Sequence, residues 1–337
     1  MKRIVISATE ASGDRLGAEL VDALTRRFTF EAVGLAGPRM REAGVIPLPG
    51  SVPMDPVMGF VEVIRHLGQI RKNSTALLRA ISEKPDLVVL IDGPDFHLPI
   101  GIEARRRGVR TLGYVSPQLW AWRAGRAPKV ARAFDLLLCL FAFESALYAA
   151  HGLDARWIGH PVVDRVRPSA REQGVVAIFP GSRRAELRRL LRPFLDAVEP
   201  LGAREVLLAQ ALPLPVTVPA WVRVTTPEEA LARASLALSK SGTVTLELAQ
   251  AGIPFVVAHR TSWLTYALGR LFVHGVQHLA LPNILAGREV VREYVQDFTP
   301  QQLTQSMRCV QAPPEVPLGP PGVAERAADA VVEMIGV

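Results

Sequence analysis

Cysteine, lysine and long apolar runs are scarce in this chain of 337 residues. The two cysteines, Cys139 and Cys309, lack the spacing of metal ligands, so we expect neither a metal site nor a disulfide framework, and a buried thiol at Cys139. No stretch reaches the length of a membrane span, and the apolar run at 4–8 is too short for the core of a signal peptide. These absences predict a cytoplasmic protein, one still free to lie on a membrane surface.

Arginine supplies nearly all of the positive charge, since only five residues are lysine. The net charge of +7 and the pI of about 9.9 suit acidic partners, which include nucleic acid, anionic lipid and phosphorylated small molecules. Charge alone does not choose among them. Hydrophobic residues make up 49% of the chain and charged residues 21%, which indicates a globular protein, and the length allows two domains.

Short apolar runs alternate with longer amphipathic segments along the first half. The segment 14–28 is a predicted helix, because Leu16, Leu20, Leu24 and Phe28 recur on one face. Continuous apolar strands that alternate with helices predict a parallel sheet covered on both sides. The predicted strands of this half are 3–8, 32–35, 87–91, 110–114, 136–140 and 156–158.

The pattern restarts after a polar, turn-rich stretch at 167–174. We therefore expect an α/β protein of two doubly wound domains, with ligands bound near the carboxyl ends of their strands. The first domain is predicted at 1–165, the second at 166–320, and a last helix in 321–337 follows a proline-rich connector. The predicted strands of the second half are 175–179, 205–208, 222–225, 236–239 and 255–258.

Carboxylates follow two of the predicted strands in the first half. Glu10 comes just after the first strand, in a turn of small residues, and Asp92 comes directly after the strand at 87–91. A buried strand that delivers a carboxylate to the edge of a sheet is a common way to hold a general base. Simpler roles stay open, because Ser12 or Asp14 suits a cap of the first helix, and Asp92-Gly-Pro suits a turn with Asp95 as a cap. The first turn lacks G-x-G-x-x-G, which argues against a nicotinamide or flavin enzyme.

The second half begins with a segment that resembles a phosphate loop. Gly181 and Ser182 follow its first strand and would expose backbone N–H groups, and Arg183 stands next to them. An anionic ligand is the natural occupant of such a loop.

A second segment of this kind follows the strand at 236–239. Ser241, Gly242 and Thr243 stand where a helix should begin, and Glu247 one turn later is placed for the hydroxyls of a ribose. Capping of the helix by Ser241 or Thr243 is compatible with this role. Two phosphate-type segments in one domain predict a nucleoside diphosphate ligand, and we expect no metal because no Asp-x-Asp motif stands near them.

The segment 58–72 combines an apolar face with basic neighbours, and a separate stretch at 114–123 concentrates two tryptophans. From the pattern alone an ordinary surface helix is favoured over an interfacial helix that docks on anionic lipid. The tryptophan stretch suits either a core or the stacking of a sugar ring. The residues concerned are Met58, Phe60, Ile64, Leu67 and Trp120.

Taken in order, these motifs closely resemble the lipid-A-disaccharide synthase family over most of the chain. In the first half the matching runs are Glu10-Ala-Ser-Gly-Asp14, Gly34-Leu-Ala-Gly-Pro-Arg-Met40, Met58-Gly-Phe-Val-Glu-Val63, Asp92-Gly-Pro-Asp-Phe96, Tyr114-Val-Ser-Pro117 with Trp120-Ala-Trp-Arg123, and Ile158-Gly-His-Pro161. In the second half they are Pro180-Gly-Ser-Arg183 with Glu186, Ser241-Gly-Thr243 with Glu247, and Leu281-Pro-Asn283-Ile-Leu-Ala-Gly-Arg288.

The resemblance implies a GT-B architecture, in which two Rossmann-like domains face each other across a cleft. It implies an inverting transfer of diacylglucosamine from UDP-diacylglucosamine to diacylglucosamine 1-phosphate, through a β-1,6 bond, without cofactor, metal or nucleic acid. Asp92 and Glu10 would be the catalytic residues, with Asp92 as the base on the acceptor hydroxyl and Glu10 nearby, and Arg183 would offset the charge on the departing UDP. The UDP-binding residues would be Gly181, Ser182, Arg183, Ser241, Gly242, Thr243, Glu247 and Asn283.

Both implied substrates carry acyl chains, so the 58–72 helix now favours membrane docking. Met58, Phe60, Ile64, Leu67 and Trp120 would face the acceptor or the membrane, at the inner face of the cytoplasmic membrane. The last helix would cross back to the first domain or exchange with a second subunit, which would make a homodimer.

Two features depart from the family pattern. Thr9 stands where glycine is expected, and the region 201–229 is short. Other GT-B enzymes of UDP-N-acetylglucosamine, either transferases or 2-epimerases, and a non-catalytic nucleotide-sugar-binding protein are the alternative functions.

Overall fold

Parallel strands and helices alternate through both halves of the chain. A computed structural model describes residues 1–52, 60–119, 124–167, 171–181, 183–210, 217–263, 266 and 277–337, except the side chains of 60–66 and 124. This described chain divides into two compact units. The N-terminal unit contains Met1–Pro161 and Leu318–Val337, and the C-terminal unit contains Val162–Pro317. The sequence-based boundaries after 165 and 320 lie within a few residues of these divisions.

The sheet of the N-terminal unit has its strands in the order β3-β2-β1-β4-β5-β6-β7, all parallel. Strand β4 at its centre is buried at every position, because helices cover both faces of a doubly wound sheet. The strands are β1 (Lys2–Ala8), β2 (Phe30–Leu35), β3 (Ile46–Pro47), β4 (Leu87–Ile91), β5 (Thr111–Tyr114), β6 (Leu136–Cys139) and β7 (Asp154–Trp157).

Helices cover this sheet with apolar faces at helical spacing. In the third helix, Ala76, Leu77, Ala80 and Ile81 are buried and belong to one core cluster with Val88. That spacing puts the four side chains on a single face. The helices of the unit's first segment are α1 (Ala11–Thr25), α2 (Pro38–Glu42), α3 (Phe60–Ser82), α4 (Pro94–Arg106), α5 (Ala127–Ala133) and α6 (Ala142–Ala149).

The C-terminal unit repeats the same winding in a parallel sheet of order β10-β9-β8-β11-β12-β13. Its strands are β8 (Val175–Phe179), β9 (Glu205–Ala209), β10 (Val222–Thr225), β11 (Leu236–Ser239), β12 (Phe255–His259) and β13 (Glu293–Val295). Its helices are α7 (Val162–Arg165), α8 (Arg184–Val198), α9 (Pro227–Arg233), α10 (Val244–Gln250), α11 (Leu281–Ala286) and α12 (Pro300–Cys309). Helix α8 buries Leu190 and Phe194 against this sheet.

The last helix, α13 (Val323–Ile335), belongs to the N-terminal unit, where it packs against α1. Its buried side includes Ala327, Ala328 and Val331. The acidic residues on its other side pair with arginines of the unit: Glu325 and Asp329 with Arg27, at 3.0 and 2.8 Å, and Glu333 with Arg156. Small buried side chains therefore set the close approach of the helix, and ion pairs line its edges.

The α/β fold class with two doubly wound domains is confirmed. The expected segment at 14–28 is helical from Ala11 to Thr25, and Val323–Ile335 is helical as expected. Two strands were not predicted, β3 and β13. Both are two or three residues long and lie at sheet edges, where little apolar sequence is needed.

We predict that apolar packing, more than charge, holds α13 in place. Val331→Ala removes two methyl groups from a site with 0% exposure and should weaken local stability by about 2 kcal/mol. Amide hydrogen exchange in α13 should then accelerate by about 30-fold. Glu333→Gln removes an exposed ion pair with Arg156 that solvent screens, so it should accelerate exchange much less, and it serves as the matched variant. Equal acceleration in both variants would contradict this ranking.

Candidate active site

Each sheet reverses its direction of winding between its first and fourth strands. In the N-terminal unit Ala8 and Ile91 end the neighbouring strands β1 and β4 in register, and in the C-terminal unit Phe179 and Ser239 do so in β8 and β11. Helices leave such a pair of strands toward opposite faces, which opens a crevice beyond their carboxyl ends. Glu10 and Asp92 follow the first pair, and the two phosphate-type segments follow the second pair. The topology therefore places the predicted chemistry at both switch points.

Asp92 adopts a left-handed backbone conformation directly after β4, with φ of 53°. Gly93 repeats this conformation, and Val115 after the neighbouring strand β5 has φ of 79°. Positive φ is unfavourable for residues with a β-carbon, most of all for a β-branched side chain such as valine. Strained backbone of this kind clusters at functional sites, where the surroundings must enforce it. Its occurrence beyond two adjacent strands marks this edge as a candidate site.

His97 enforces the turn at Asp92. The histidine side chain is 1% exposed, and its Nδ1 lies 2.6 Å from the Asp92 carbonyl oxygen while its Nε2 lies 2.8 Å from Ser7 Oγ. A carbonyl oxygen only accepts hydrogen bonds, so Nδ1 carries the proton and Nε2 accepts from the Ser7 hydroxyl. Burial lowers the pKa of His97 to about 4, although the Asp92 carbonyl opposes this change. The imidazole is therefore neutral at pH 7.

The Asp92 carboxyl group has a raised pKa. Burial raises the pKa of this group, and a hydrogen bond from the Gly93 N–H opposes this rise. A raised pKa makes a carboxylate a stronger base than an exposed aspartate. By contrast Asp95, three residues on, is exposed and pairs with Arg126 at 3.0 Å. It does not cap α4, whose N-cap is Gly93.

Thr9 joins the turns that follow β1 and β4. It is 8% exposed, and its Oγ1 would lie 2.4 Å from a β-carbon added to Gly93. Gly93 is therefore required twice, for its positive φ and for this close contact. The departure from the expected glycine at position 9 thus falls at a packed contact between the two turns.

Glu10 occupies the N-cap position of α1 and borders a cleft of about 270 Å³. Asp14 also borders this cleft, but it caps the neighbouring helix α2, because its carboxylate accepts the N–H groups of Arg39 and Met40 at 3.0 and 3.1 Å. The suggested capping of the first helix by Asp14 is therefore wrong. The carboxylate sits so close to Gly37 that a β-carbon there would lie 2.5 Å from Asp14 Cγ.

In the C-terminal unit, Glu186 organises the loop after β8. Its carboxylate contacts Lys240 Nζ at 3.0 Å and Arg183 Nη1 at 3.2 Å, and accepts the Arg183 N–H at 3.4 Å. Gly181 has φ of 108°, and a β-carbon there would lie 2.2 Å from Glu186 Oε2. Burial by itself would raise the pKa of Glu186, but Lys240 and then Arg183 lower it below its usual value. Ser182 lies outside the described residues.

The second predicted segment forms the start of α10. Gly242 is half-buried and Thr243 is exposed at the N-cap position, but neither Ser241 nor Thr243 caps the helix through its side chain. Ser241 Oγ instead donates to the Leu279 carbonyl at 2.7 Å. Glu247 is half-buried in the helix. The suggestion that Ser241 or Thr243 caps α10 is therefore wrong, and the role of all four residues in ligand binding stays a prediction.

Asn283 is occupied by the protein itself. It is fully buried, its Oδ1 accepts the N–H groups of Val290 and Val291 at 2.8 Å, and its Nδ2 donates to the Val291 carbonyl at 2.8 Å. These contacts use most of the hydrogen-bonding capacity of a carboxamide. Asn283 therefore fixes the turn before β13, and direct contact with a ligand is a prediction that its surroundings do not support.

The predicted membrane-facing residues are only partly described. Met58 and Trp120 lie outside the described residues, and Phe60 and Ile64 belong to α3 without a described side chain. Leu67 is 53% exposed, and Arg71 and Lys72 beside it are exposed too. Among the helices described, none has the length and apolarity to cross a membrane.

Four residues with contacts at or near the two switch points were not predicted from the sequence to have a role there: Ser7, His97, Lys240 and His259. A histidine six residues after the end of a buried strand was a usable signal for His97. Lys240 was visible as a cation within the second phosphate-type segment, but its partner Glu186 is distant in sequence. His259 ends β12, and its Nδ1 is buried without a hydrogen-bond partner in the described part of the chain. Burial, and then Lys240, lowers the pKa of His259 against the opposing effect of Glu186.

The two parallel sheets and their winding define a protein of the GT-B fold class. Solved structures with this fold include a UDP-GlcNAc 2-epimerase from Neisseria meningitidis bound to UDP-GlcNAc, with a TM-score of 0.62 and 12% identity over 99% of this chain and 100% of that one. MurG from Acinetobacter baumannii has a TM-score of 0.56 and 16% identity over 100% of this chain and 99% of that one. At these identities the likeness concerns the fold alone.

The family model for lipid-A-disaccharide synthetase matches residues 4–311. The lipid-A-disaccharide synthase of Geobacter sulfurreducens is 37% identical in an alignment of 376 positions, which covers 99% of this chain and 97% of the relative. The lipid-A-disaccharide synthase of Pseudomonas aeruginosa is 38% identical in an alignment of 341 positions, which covers 90% of this chain and 88% of the relative. The chain belongs to the lipid-A-disaccharide synthase family, and it is a glycosyltransferase of lipid A biosynthesis.

We predict that His97 makes the fold sensitive to acid. Below its ordinary pKa of 6.5 the unfolded chain takes up a proton that the native imidazole accepts only near pH 4. Native stability should therefore fall as the pH drops through this window, by on the order of 3 kcal/mol. His97→Gln should flatten the dependence of the melting temperature on pH between 7 and 4.

His151→Gln is the matched control, because His151 is exposed. This variant should keep the slope of the wild type. If His97→Gln and the wild type have parallel profiles, the neutral buried imidazole is wrong.

Proposed function

We propose that this enzyme transfers 2,3-diacylglucosamine from UDP-2,3-diacylglucosamine to the 6-hydroxyl of 2,3-diacylglucosamine 1-phosphate. The products are the β-1,6-linked lipid A disaccharide 1-phosphate and UDP. The observation that carries this proposal is the half-buried, strained Asp92 at the switch point of the N-terminal sheet, in a chain of this family. It is the arrangement expected of a single general base.

An inverting transfer needs one base and no covalent intermediate. Asp92 takes the proton of the acceptor 6-hydroxyl while that oxygen attacks the donor anomeric carbon. The bond from this carbon to the UDP oxygen breaks, and its electron pair stays on the β-phosphate. Because the pKa of Asp92 is raised by burial, its carboxylate is a better proton acceptor than an ordinary aspartate. Glu10, at the mouth of the neighbouring cleft, is proposed to bind the acceptor sugar.

The nucleotide is proposed to bind at the switch point of the C-terminal unit. Support comes from Arg183 and Gly181 after β8 and from Ser241, Gly242 and Thr243 after β11. Fixed cations offset the charge that develops on a departing diphosphate, so the proposed reaction needs no metal ion. The epimerase of the same fold is described as bound to UDP-GlcNAc, which supports a UDP-sugar as the donor.

We propose that the enzyme works on the inner face of the cytoplasmic membrane, where both acylated substrates would reside. The exposed Leu67 and the adjacent basic residues Arg71 and Lys72 on α3 support docking of this helix. An exposed apolar side chain beside cations suits an anionic lipid surface.

The proposed reaction predicts one disaccharide 1-phosphate and one UDP for each turnover. The purified enzyme is incubated in detergent with both substrates, and the products are identified by mass spectrometry and by the anomeric coupling constant in NMR. A β-linked product is expected, since a single base at the acceptor inverts the donor carbon. A reaction without the acceptor is the control and should release no UDP, whereas an epimerase would change the donor alone. Absence of the disaccharide, or an α-linkage, would refute the proposal.

A further inference from the structure

An ion pair joins the two phosphate-type segments of the C-terminal unit. Lys240 Nζ and Glu186 Oε1 are 3.0 Å apart, and the two side chains are only 17% and 15% exposed. Lys240 directly precedes Ser241, and its N–H donates to the Phe179 carbonyl at 2.8 Å, which ties the end of β11 to the end of β8. The pair is thus a largely buried contact between the two loops, unlike the exposed ion pairs of the surface.

The positions of the two charges are marked by glycines. A β-carbon on Gly181 would lie 2.2 Å from Glu186 Oε2, and one on Gly242 would lie 3.8 Å from Lys240 Nζ. The carboxylate therefore lies against the first loop, and the ammonium group lies beside the second loop. An anion held by both loops would occupy the neighbourhood that the Glu186 carboxylate now shares with Lys240.

The charges around this point favour an anion. Two cations, Lys240 and Arg183, contact the single carboxylate of Glu186. His259, at the end of β12, adds a neutral imidazole at pH 7, because burial and then Lys240 lower its pKa. The cluster therefore carries a net positive charge, which a phosphate group would offset.

We propose that Lys240 is a binding residue for the diphosphate of the nucleotide, and that Glu186 holds the lysine in place until the nucleotide arrives. This inference rests on the proposed function. On binding, a phosphate oxygen replaces the Glu186 carboxylate as the partner of Lys240 Nζ. Lysine suits this exchange, because its ammonium group is a compact charge with three donors on a flexible stem. Together with Arg183 it would give the diphosphate two cations.

The inference is tested by the affinities of uridine and UDP for Lys240→Met, measured by calorimetry. UDP should bind at least about 10-fold more weakly than to the wild type, because the lost contact is to a phosphate, while uridine should bind equally. Lys240→Arg should recover most of the UDP affinity. Arg188→Met, which removes an exposed cation of α8, is the matched control and should bind UDP as the wild type does. Equal UDP affinity in Lys240→Met and the wild type would overturn the inference.

Glu186→Gln provides an independent test if Lys240→Met fails to fold. Glutamine keeps a hydrogen-bond acceptor for the Arg183 N–H but removes the charge that competes with the phosphate. UDP should bind several-fold more tightly to this variant, and weaker binding would refute the exchange of partners. A wild-type enzyme that does not bind UDP would instead refute the proposed function, so the two failures are distinguishable.

Discussion

The reversal of winding at the centre of each sheet is the constraint on which both candidate sites depend. Because β1 and β4 are neighbours, as are β8 and β11, their carboxyl ends meet where no helix closes the edge. Every residue to which we assign chemistry, from Glu10 and Asp92 to Arg183 and Lys240, follows one of these four strands within a few residues. The fold thus brings together segments that lie about 60 to 80 residues apart in the chain.

The two switch points differ in their electrostatics, as their proposed tasks require. Asp92 is half-buried, its backbone is held in a strained turn by His97, and the loss of solvent around its carboxyl group raises its pKa, which suits proton transfer. Glu186 is also largely buried, but two cations lower its pKa and keep it charged, which suits a site that exchanges anions. Under the proposed function, the same position in a sheet therefore provides a base in one unit and an anion site in the other.

Most of the fold could be predicted from the sequence, because buried parallel strands are continuous apolar runs; β4, β8, β10 and β11 have the predicted bounds. The short edge strands carry no such signal. Residues close in sequence, such as Glu10 and Asp92 after their strands, were found from position alone. Long-range partnerships were not: Asp14 caps a different helix, and Glu186 pairs with Lys240. Those contacts depend on the packing of separate βα units, which sequence periodicity does not encode.

The central claim is that the N-terminal switch point performs the proton transfer and the C-terminal one binds the nucleotide. The most direct test measures the UDP dissociation constant and the turnover rate of Asp92→Asn and Arg183→Ala side by side. The account predicts that Asp92→Asn binds UDP as the wild type does and loses at least about 100-fold in turnover, whereas Arg183→Ala loses UDP affinity. Unchanged turnover in Asp92→Asn, or unchanged UDP affinity in Arg183→Ala, would contradict it.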